Sequence, residues 1–321
     1  MSEFFLGVDI GNTKSMALIV DVSGQAAGIG TAGAGSWEAI GWKGARQVMH
    51  GLVAEATTQA GIGSSEISAA GFGLAGYDWP EDRAPYLTIV EDLDLGGPFE
   101  LVNDALLGVF IGAAAGWGVA ISAGTSCNCY GRDRQGRIGR VTGHSRFGEY
   151  GGAVEIVNRA LQAVALSWTK RGPETALTEA FIALVKARDP EDLFAGLVRH
   201  RYQITPTAAP LVFKTAEEGD AVAREIIAWA GRGLGDLAAG VIRQLEIASL
   251  AFDVVLAGSI YDHHPALARL TAEPVRAVAP HARLVPLQAP PVLGGIILGM
   301  ARRGLATDQM RGRLLATPLS F

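Results

Sequence analysis

The 321-residue sequence predicts a duplicated α/β fold, with two similar units in tandem and a cleft between them. One observation behind this is the alternation of β-rich runs with apolar residues at helical spacing. The other is an internal repeat. Strand–turn–strand patterns surround Gly11 and Gly24, 13 positions apart, and again Gly124 and Gly136, 12 positions apart. A repeat of this length indicates a repeated architecture.

The first unit is predicted to run β-β-β-α-β, followed by a further strand and a helix. The predicted strands cover residues 5–10, 16–21, 26–32, 69–74 and 100–102. A helix is predicted over 44–61, because its apolar residues have helical spacing and Gly61 is a usual helix stop. A second helix is predicted from Asp104 to Ala115. We place the first domain at residues 1–115.

The second unit repeats the three strands within residues 118–140. Helices are predicted over 153–166, 178–187 and 221–245, followed by a strand over 253–256. A closing helix begins at Val292. We place the second domain at residues 116–292, with a helix over 292–305 that returns to the first domain.

Composition and charge exclude several classes of protein. A net charge of −5 gives no basic footprint for nucleic acid. The apolar runs contain glycines and are shorter than the ~20 residues of a membrane span, and the N-terminus does not resemble a signal peptide. Cys127 and Cys129 are the only cysteines, and alternate strand positions do not favour a disulfide. We expect a cytoplasmic protein without nucleic-acid or membrane partners.

The first candidate phosphate site is the turn Gly11-Asn12-Thr13-Lys14-Ser15. It differs from a P-loop, which places four residues between its first Gly and its Gly-Lys and opens a helix. A turn rich in Gly, Thr and Ser still offers backbone N–H groups and hydroxyls to phosphate oxygens. An ordinary polar hairpin tip is an equal alternative at this point.

The second candidate is Gly124-Thr125-Ser126, in the equivalent turn of the second unit. Two such turns, one in each domain, suit the binding of a triphosphate from both sides. Asp9 lies inside the first apolar strand, where an unpaired charge is costly. A carboxylate that holds hydrated Mg²⁺ beside phosphates would explain its position.

Asp104 follows a β-rich run and opens a helix. One interpretation is an N-cap, since Asp is favoured there. The other is a general base that accepts a hydroxyl proton during phosphoryl transfer. Both roles are compatible, because ligands of α/β proteins bind at strand ends.

Four ordered stretches together resemble the BadF/BadG/BcrA/BcrD ATPase family, in particular its N-acetylglucosamine-kinase-like branch. They are Val8-Asp9-Ile10-Gly11-Asn12-Thr13-Lys14, Asn103-Asp104-Ala105, Ile121-Ser122-Ala123-Gly124-Thr125-Ser126-Cys127-Asn128 and Leu256-Ala257-Gly258-Ser259. The resemblance covers nearly the whole chain. It implies two ribonuclease-H-like domains, the duplicated fold of actin-like ATPases, and the use of ATP.

The resemblance also implies roles for individual residues. Asp9 corresponds to the family's magnesium-binding aspartate, and Asp104 to its catalytic aspartate. Gly258 and Ser259 correspond to the adenosine motif, and Gly294-Gly295 resembles the start of an inter-domain helix that permits hinge closure. The implied phosphate-binding residues are Gly11, Asn12, Thr13, Lys14, Gly124, Thr125 and Ser126.

The stretches implied to bind the acceptor depart from the family's pattern. Gly35-Ser36-Trp37 stands where its sugar kinases have Asn-His-Trp. Gly148-Glu149-Tyr150-Gly151-Gly152 stands in place of Gly-Asp-Glu-Gly-Ser, so the pocket must differ in shape. The predicted acceptor-binding residues are Ser36, Trp37, Gly76, Asp78, Asp104 and Glu149, with His144 a further candidate for the cleft. For Trp37, packing into its own domain is at least as good an interpretation as stacking on a sugar.

The leading functional prediction is an ATP-dependent kinase with Mg²⁺ as cofactor. Its acceptor would be a small hydroxylated molecule, an amino sugar or hexose of the N-acetylglucosamine or glucosamine type. The alternative is an ATPase that activates a partner protein. A pantothenate kinase, whose opening also contains Asp-Ile-Gly-Asn-Thr, is a closer rival in motif, but its later motifs are absent here. The oligomeric state stays open, with a homodimer among the options.

Overall fold

The computed structural model describes residues 3–142, 148–264, 266–305 and 307–316. The chain divides into two compact units. The first contains Met1–Ala120, Gly131–Gly136 and Val285–Phe321, and the second contains Ile121–Tyr130 and Arg137–Leu284. None of the helices in the described ranges combines the length and the hydropathy needed to cross a membrane.

The described residues contain ten strands and twelve α-helices. The strands are β1 Phe4–Ile10, β2 Ser15–Asp21, β3 Ala26–Ala32, β4 Ile67–Leu74, β5 Phe99–Val102, β6 Gly118–Ala123, β7 Cys127–Arg132, β8 Ile138–Val141, β9 Asp253–Ala257 and β10 Arg283–Pro286. The helices are α1 Trp37–Ala60, α2 Arg83–Glu91, α3 Asp104–Gly112, α4 Ala153–Trp168, α5 Leu177–Val185, α6 Pro190–Val198, α7 Ala209–Glu217, α8 Ala221–Leu245, α9 Ser259–His263, α10 Leu267–Val278, α11 Val292–Arg302 and α12 Asp308–Ala316.

The sheet of the first unit has the order β3-β2-β1-β4-β5. Strand β1 is antiparallel to β2 and parallel to β4. Its residues Leu6, Val8 and Ile10 are fully buried and belong to a core that includes residues of α1. Because successive side chains alternate between faces, Gly7 and Asp9 lie on the opposite face.

Helix α11 packs on that opposite face at very short range, and glycines make the approach feasible. A Cβ atom on Gly7 would lie 2.3 Å from the carbonyl oxygen of Val292, and one on Gly71 would lie 2.2 Å from that of Gly295. A Cβ on Gly294 would lie 2.2 Å from the carbonyl oxygen of Leu107 in α3. The Gly294–Gly295 pair therefore has a packing role, while its role in hinge closure stays a prediction.

The sheet of the second unit has the order β10-β9-β6-β7-β8. Its longest helix, α8, begins at the N-cap Asp220, whose carboxylate accepts a hydrogen bond from Ala223 N at 2.7 Å. Gly231 and Gly235 of α8 face helix α10 closely, since a Cβ on Gly231 would lie 2.3 Å from Leu270 Cβ. Both sheets begin with the same order of elements along the chain, β1-β2-β3-α1 in one and β6-β7-β8-α4 in the other.

The helix predicted over 44–61 begins earlier, at Trp37. Ser36 is its N-cap, with its hydroxyl accepting a hydrogen bond from Glu38 N at 3.3 Å. Gly41 then has φ 70° and ψ 164°, which interrupts the helix and hides its first turn from a periodicity argument. The helix predicted to reach Ala115 ends at Gly112. Helices α2, α6, α7, α9, α10 and α12 and strand β10 were not predicted, since they are short or, in α10, contain Pro274.

Candidate active site

In the first unit, the negative charges of Asp9 and Asp78 act on the carboxyl group of Asp104. Asp9 is paired with Gly73 of β4, and a Cβ on Gly73 would lie 2.3 Å from Leu107 Cδ1 of α3. Asp9 therefore lies on the sheet face covered by α3, the helix whose first residue is Asp104. The fold brings the predicted metal ligand and the predicted catalytic base to the same face.

The environment raises the pKa of the carboxyl groups of Asp9 and Asp104. Burial raises the pKa of Asp9 to about 7, against the opposing effect of the positive charge of Lys14. Burial, together with the negative charges of Asp9 and Asp78, raises the pKa of Asp104 to about 8. A general base works best when its pKa lies near the operating pH. A pKa of this size suits Asp104 for proton transfer.

Asp104 is not the N-cap of its helix. The N-cap is Asn103, whose Oδ1 accepts a hydrogen bond from Ala105 N at 3.0 Å, and Asp104 is the first helical residue. The Asp104 Oδ1 atom is buried and has no hydrogen-bond partner among the described residues. Buried polar atoms of this kind are uncommon and call for an explanation. A hydroxyl group that donates to this oxygen would supply one.

Asn103 belongs to one of the four stretches that resemble the family, but no role was predicted for it, although Asn is a favoured N-cap. Its side chain is buried, with 4% of the residue exposed. The Nδ2 group donates to Asp78 Oδ1 at 3.1 Å and to the carbonyl oxygen of Tyr77 at 3.4 Å. One amide therefore joins the start of α3 to the loop that contains Gly76 and Asp78. The sequence could not reveal this link, because Asn103 and Asp78 are 25 positions apart in the chain.

Replacing Asn103 by Ser should separate these two functions. Ser caps a helix as well as Asn does, but it cannot donate to Asp78 and Tyr77. We expect the KM for the acceptor to rise about 5- to 10-fold, equivalent to ~1 kcal/mol for the lost hydrogen bonds. The KM for ATP should stay unchanged in steady-state assays.

The matched control is Asp189→Ser, which exchanges one N-cap for another at α6 of the second unit, where Asp189 accepts from Asp192 N at 2.8 Å. This variant should leave both KM values unchanged. If Asn103→Ser also left the acceptor KM unchanged, the hydrogen bonds from Asn103 to the loop would not contribute to acceptor binding.

The first candidate phosphate turn has a fixed backbone and an exposed tip. Ser15 Oγ accepts a hydrogen bond from Gly11 N at 3.3 Å, and Gly35 N donates to the carbonyl oxygen of Gly11 at 3.0 Å. A Cβ on Gly11 would lie 2.5 Å from the carbonyl oxygen of Lys14. Asn12, Thr13 and Lys14 are exposed. Their polar groups are therefore available to a ligand.

Ser36, Trp37 and Gly76 lie together. The side chains of Ser36 and Trp37 already have hydrogen-bond partners within the first unit. Trp37 stacks on Trp42 with ring centroids 4.8 Å apart, and its Nε1 donates to the carbonyl oxygen of Gly76 at 2.7 Å. Ser36 is fully buried and caps α1. The packing interpretation of Trp37 therefore has direct structural support, and acceptor binding by these residues stays a prediction.

The second candidate phosphate turn lies against the start of helix α4. The carbonyl oxygens of Gly124 and Thr125 accept hydrogen bonds from Ala153 N and Val154 N at 2.9 and 3.0 Å. These bonds fix the backbone of the turn, while the Thr125 residue is exposed. The turn is rigid and open to a ligand, as a phosphate site requires.

Gly258 and Ser259 lie beside this turn within the second unit. A Cβ on Gly124 would lie 4.0 Å from Ser259 Oγ. Gly258 has φ +103°, and a Cβ there would lie 2.3 Å from the carbonyl oxygen of Ala123. Only glycine fits such a position. The fold thus places the predicted adenosine motif next to the second phosphate turn.

Glu149 is buried, with 3% of the residue exposed. It lies near Glu155, since both carboxylates raise the pKa of the buried Cys127 thiol, after the larger effect of burial. Glu155 Oε2 accepts from Cys127 Sγ at 3.9 Å. His144 lies outside the described residues. A role of Glu149 in acceptor binding stays a prediction.

A magnesium site built on Asp9 fits the residues present. Nowhere in the described part of the chain do three or more His, Cys, Asp or Glu residues group closely enough to hold a metal. Mg²⁺ usually binds through one or two carboxylates, with waters and substrate phosphates completing its shell. The Asp9 carboxylate, on a half-buried residue two positions before the exposed phosphate turn, meets that description.

The model of the BadF/BadG/BcrA/BcrD ATPase family matches residues 6–294. The chain belongs to this family. The family predicted from the four sequence stretches is therefore confirmed, and the membership implies the use of ATP. It also favours this assignment over the pantothenate kinase alternative.

Two relatives of known activity are similar to this chain over most of its length. An N-acetyl-D-glucosamine kinase from Dictyostelium discoideum is 26% identical over 313 residues, which cover 93% of this chain and 98% of the relative. An N-acetylmuramic acid/N-acetylglucosamine kinase from Clostridium acetobutylicum is 27% identical over 221 residues, covering 68% and 72%.

The fold is also that of solved structures. A provisionally assigned N-acetylglucosamine kinase from Chromobacterium violaceum matches with a TM-score of 0.67 at 21% identity, over 92% of this chain and 98% of the other. The predicted fold class, a duplicated ribonuclease-H-like fold of actin-like ATPases, is confirmed.

Proposed function

We propose that this protein is an ATP-dependent kinase that phosphorylates a hydroxyl group of an amino sugar, of the N-acetylglucosamine type. The observation that carries the proposal is the Asp104 carboxylate. Its Oδ1 atom is buried and has no hydrogen-bond partner among the residues that the structure describes, and its pKa is raised to about 8. Both curated relatives act on N-acetylglucosamine according to their names, which supports this acceptor class.

In this proposal Asp104 accepts the proton of the acceptor hydroxyl as that oxygen attacks the terminal phosphorus of ATP. The hydroxyl donates to the carboxylate before the reaction and transfers its proton as the new P–O bond forms and the P–O bond to the leaving ADP breaks. The closely packed helix α3 fixes the position of the carboxylate, since its residues from Ala105 to Ile111 are all buried. The loop held by Asn103 would orient the acceptor through Gly76 and Asp78.

The two Gly/Thr/Ser turns would bind the phosphates of ATP. Their backbone geometry is fixed by hydrogen bonds at Gly11 and Gly124, so little order has to be imposed when the ligand binds. Thr13, Lys14 and Thr125 are exposed at the tips and can donate to phosphate oxygens. The backbone at Gly258 would lie against the adenosine.

Asp9 would hold the magnesium ion, directly or through a water molecule. When bound, Mg²⁺ neutralises phosphate charge as it redistributes during transfer. The ion would also relieve the unfavourable burial of the Asp9 and Asp104 charges.

Asp9→Asn keeps the size of the side chain and removes its charge. We expect the affinity for Mg-ATP, measured by calorimetry, to fall about 10- to 100-fold, the range expected when a charge-assisted interaction of about 1.5–3 kcal/mol is lost. The affinity for ATP in the presence of a chelator should not fall, because Asp9 then repels the phosphates.

The control for Asp9→Asn is Asp94→Asn. Asp94 is exposed and has φ 53°, which Asn tolerates equally well. It should bind Mg-ATP normally. An equal loss of affinity for ATP with and without Mg²⁺ would contradict the assignment of Asp9 to the metal.

A screen of acceptors in a coupled ADP-release assay tests the function. We expect ADP release to rise steeply with one amino sugar and little with unrelated alcohols. Equal hydrolysis with every sugar would contradict the proposal. Stimulation by a protein instead of a sugar would favour the alternative, an ATPase that activates a partner.

A further inference from the structure

Helix α12 lies beyond the range 6–294 that the family model matches, and it carries a buried arginine. Arg311 has only 6% of its surface exposed. Burying a guanidinium is costly unless its donors are satisfied. The partners of Arg311 therefore indicate what the helix is for.

Two of those partners are main-chain oxygens at the end of helix α3. Arg311 Nε donates to the carbonyl oxygen of Phe110 at 2.9 Å, and Nη1 donates to that of Ala114 at 3.1 Å. Nη1 also donates to Asp308 Oδ1 at 3.0 Å, a carboxylate of the same helix whose side chain is 90% exposed. Gly116 makes room for the group, because a Cβ there would lie 2.9 Å from Nη2.

Helix α3 cannot supply these donors itself. Its last turn contains no basic residue, and its sequence after Asp104 is entirely apolar or glycine. The final carbonyl groups of a helix have no intrahelical partner, and a cation near them is stabilising. Arg311 provides both the donors and the charge. Asn103 holds the other end of the same helix through Ala105 N.

Separate contacts dock α12 on the first unit. Met310 and Leu314 are buried, with 4% and 2% exposed. A Cβ on Gly24, in the turn between β2 and β3, would lie 3.0 Å from Met310 Sδ and 3.7 Å from Leu314 Cδ2. These contacts hold α12 against the turn between β2 and β3, and Arg311 extends from the helix to the end of α3.

We propose that Arg311 is a positioning residue for phosphoryl transfer, acting through helix α3 on the Asp104 carboxylate at the opposite end. This inference rests on the proposed function of Asp104. Helix α3 has nine residues and is buried from Ala105 to Ile111, so a shift at one end moves the other. A misplacement of about 1 Å costs as much as 10²-fold in rate.

The test compares Arg311→Met, Arg311→Lys and the control Asp308→Asn, which leaves the bonds from Arg311 to the carbonyl groups in place. Assays are run well below the melting temperature of each variant, so that all are folded. We expect Arg311→Met to lower kcat about tenfold with both KM values within about twofold of wild type. Arg311→Lys should recover part of the loss, and Asp308→Asn should match wild type. If Arg311→Met does not fold, the kcat of Arg311→Lys relative to Asp308→Asn decides.

Amide hydrogen exchange gives a second measurement that needs no substrate. The amides of α3 should exchange faster in Arg311→Met than in Asp308→Asn. If the wild type phosphorylates no sugar, the proposed function fails, and exchange still tests whether Arg311 holds α3. A kcat equal to that of Asp308→Asn, or unchanged exchange in α3, would overturn the proposal.

Discussion

Replacing Asp104 by Asn should lower turnover about 10²- to 10⁴-fold, equivalent to roughly 3–5 kcal/mol of barrier. The amide keeps the size of the side chain but cannot accept the proton of the acceptor hydroxyl. Because Asn103 and not Asp104 caps helix α3, the change leaves the cap intact. Calorimetry should therefore show nearly normal affinity for Mg-ATP.

The control for this variant is Asp94→Asn, the same exchange at an exposed aspartate of the first unit, which should keep normal turnover. If Asp104→Asn retained nearly normal turnover with the true acceptor, the assignment of the general base would be wrong. Glu149 would then be the next carboxylate to test.

The carboxyl group of Asp104 should make the stability of the wild type depend on pH in a defined direction. An Asp whose pKa is raised from 3.8 to about 8 on folding binds more protons in the native state than in the unfolded state between those values. The free energy of unfolding therefore falls as pH rises through this range. Asp104→Asn removes this effect, so without nucleotide or metal its melting temperature should exceed that of wild type at pH 8. The two should agree near pH 4.

Replacing Gly71 by Ala should lower the free energy of unfolding by about 3 kcal/mol or more, at the upper end of the cost of overpacking. The new Cβ would lie 2.2 Å from the carbonyl oxygen of Gly295, 2.8 Å from Leu298 Cβ and 3.0 Å from Gly299 N. Two of these three atoms belong to the main chain, so relief requires helix α11 to move away from strand β4. Urea unfolding of the purified proteins measures the effect.

Gly51→Ala is the matched control. Gly51 lies inside helix α1, and a Cβ there would meet nothing within 4 Å. Alanine in a helix interior is more favourable than glycine by about 0.5–1 kcal/mol, so this variant should be more stable than wild type. A loss below about 1 kcal/mol for Gly71→Ala would contradict the close approach of α11 to the sheet.

The sequence was informative wherever the structure depends on neighbouring residues. Strands β1 to β3, the turns at Gly11 and Gly124 and the helix that follows Asp104 all show in local patterns of apolar residues, glycines and hydroxyls. The start of α1 does not, because Gly41 interrupts its periodicity. Local patterns therefore placed the motifs but not every boundary.

The remaining features depend on residues far apart in the chain. Arg311 contacts Phe110 across 201 positions, and Asn103 contacts Asp78 across 25. Neither pair has a local pattern that predicts it. The packing of Trp37 on Trp42 was foreseen only as one of two alternatives, since an aromatic residue near a site suits both core and ligand. The structure shows the packing of Trp37 on Trp42, while stacking of Trp37 on a sugar stays a prediction.

The most direct test of the account is identification of the product. Wild-type protein, Mg-ATP and N-acetylglucosamine would be incubated together, and the sugar analysed by mass spectrometry and phosphorus NMR. The account predicts one phosphate monoester of the sugar, formed in equal amount to ADP, and almost none with Asp104→Asn although that variant still binds Mg-ATP. Release of ADP together with inorganic phosphate, with every tested amino sugar left unmodified, would contradict it.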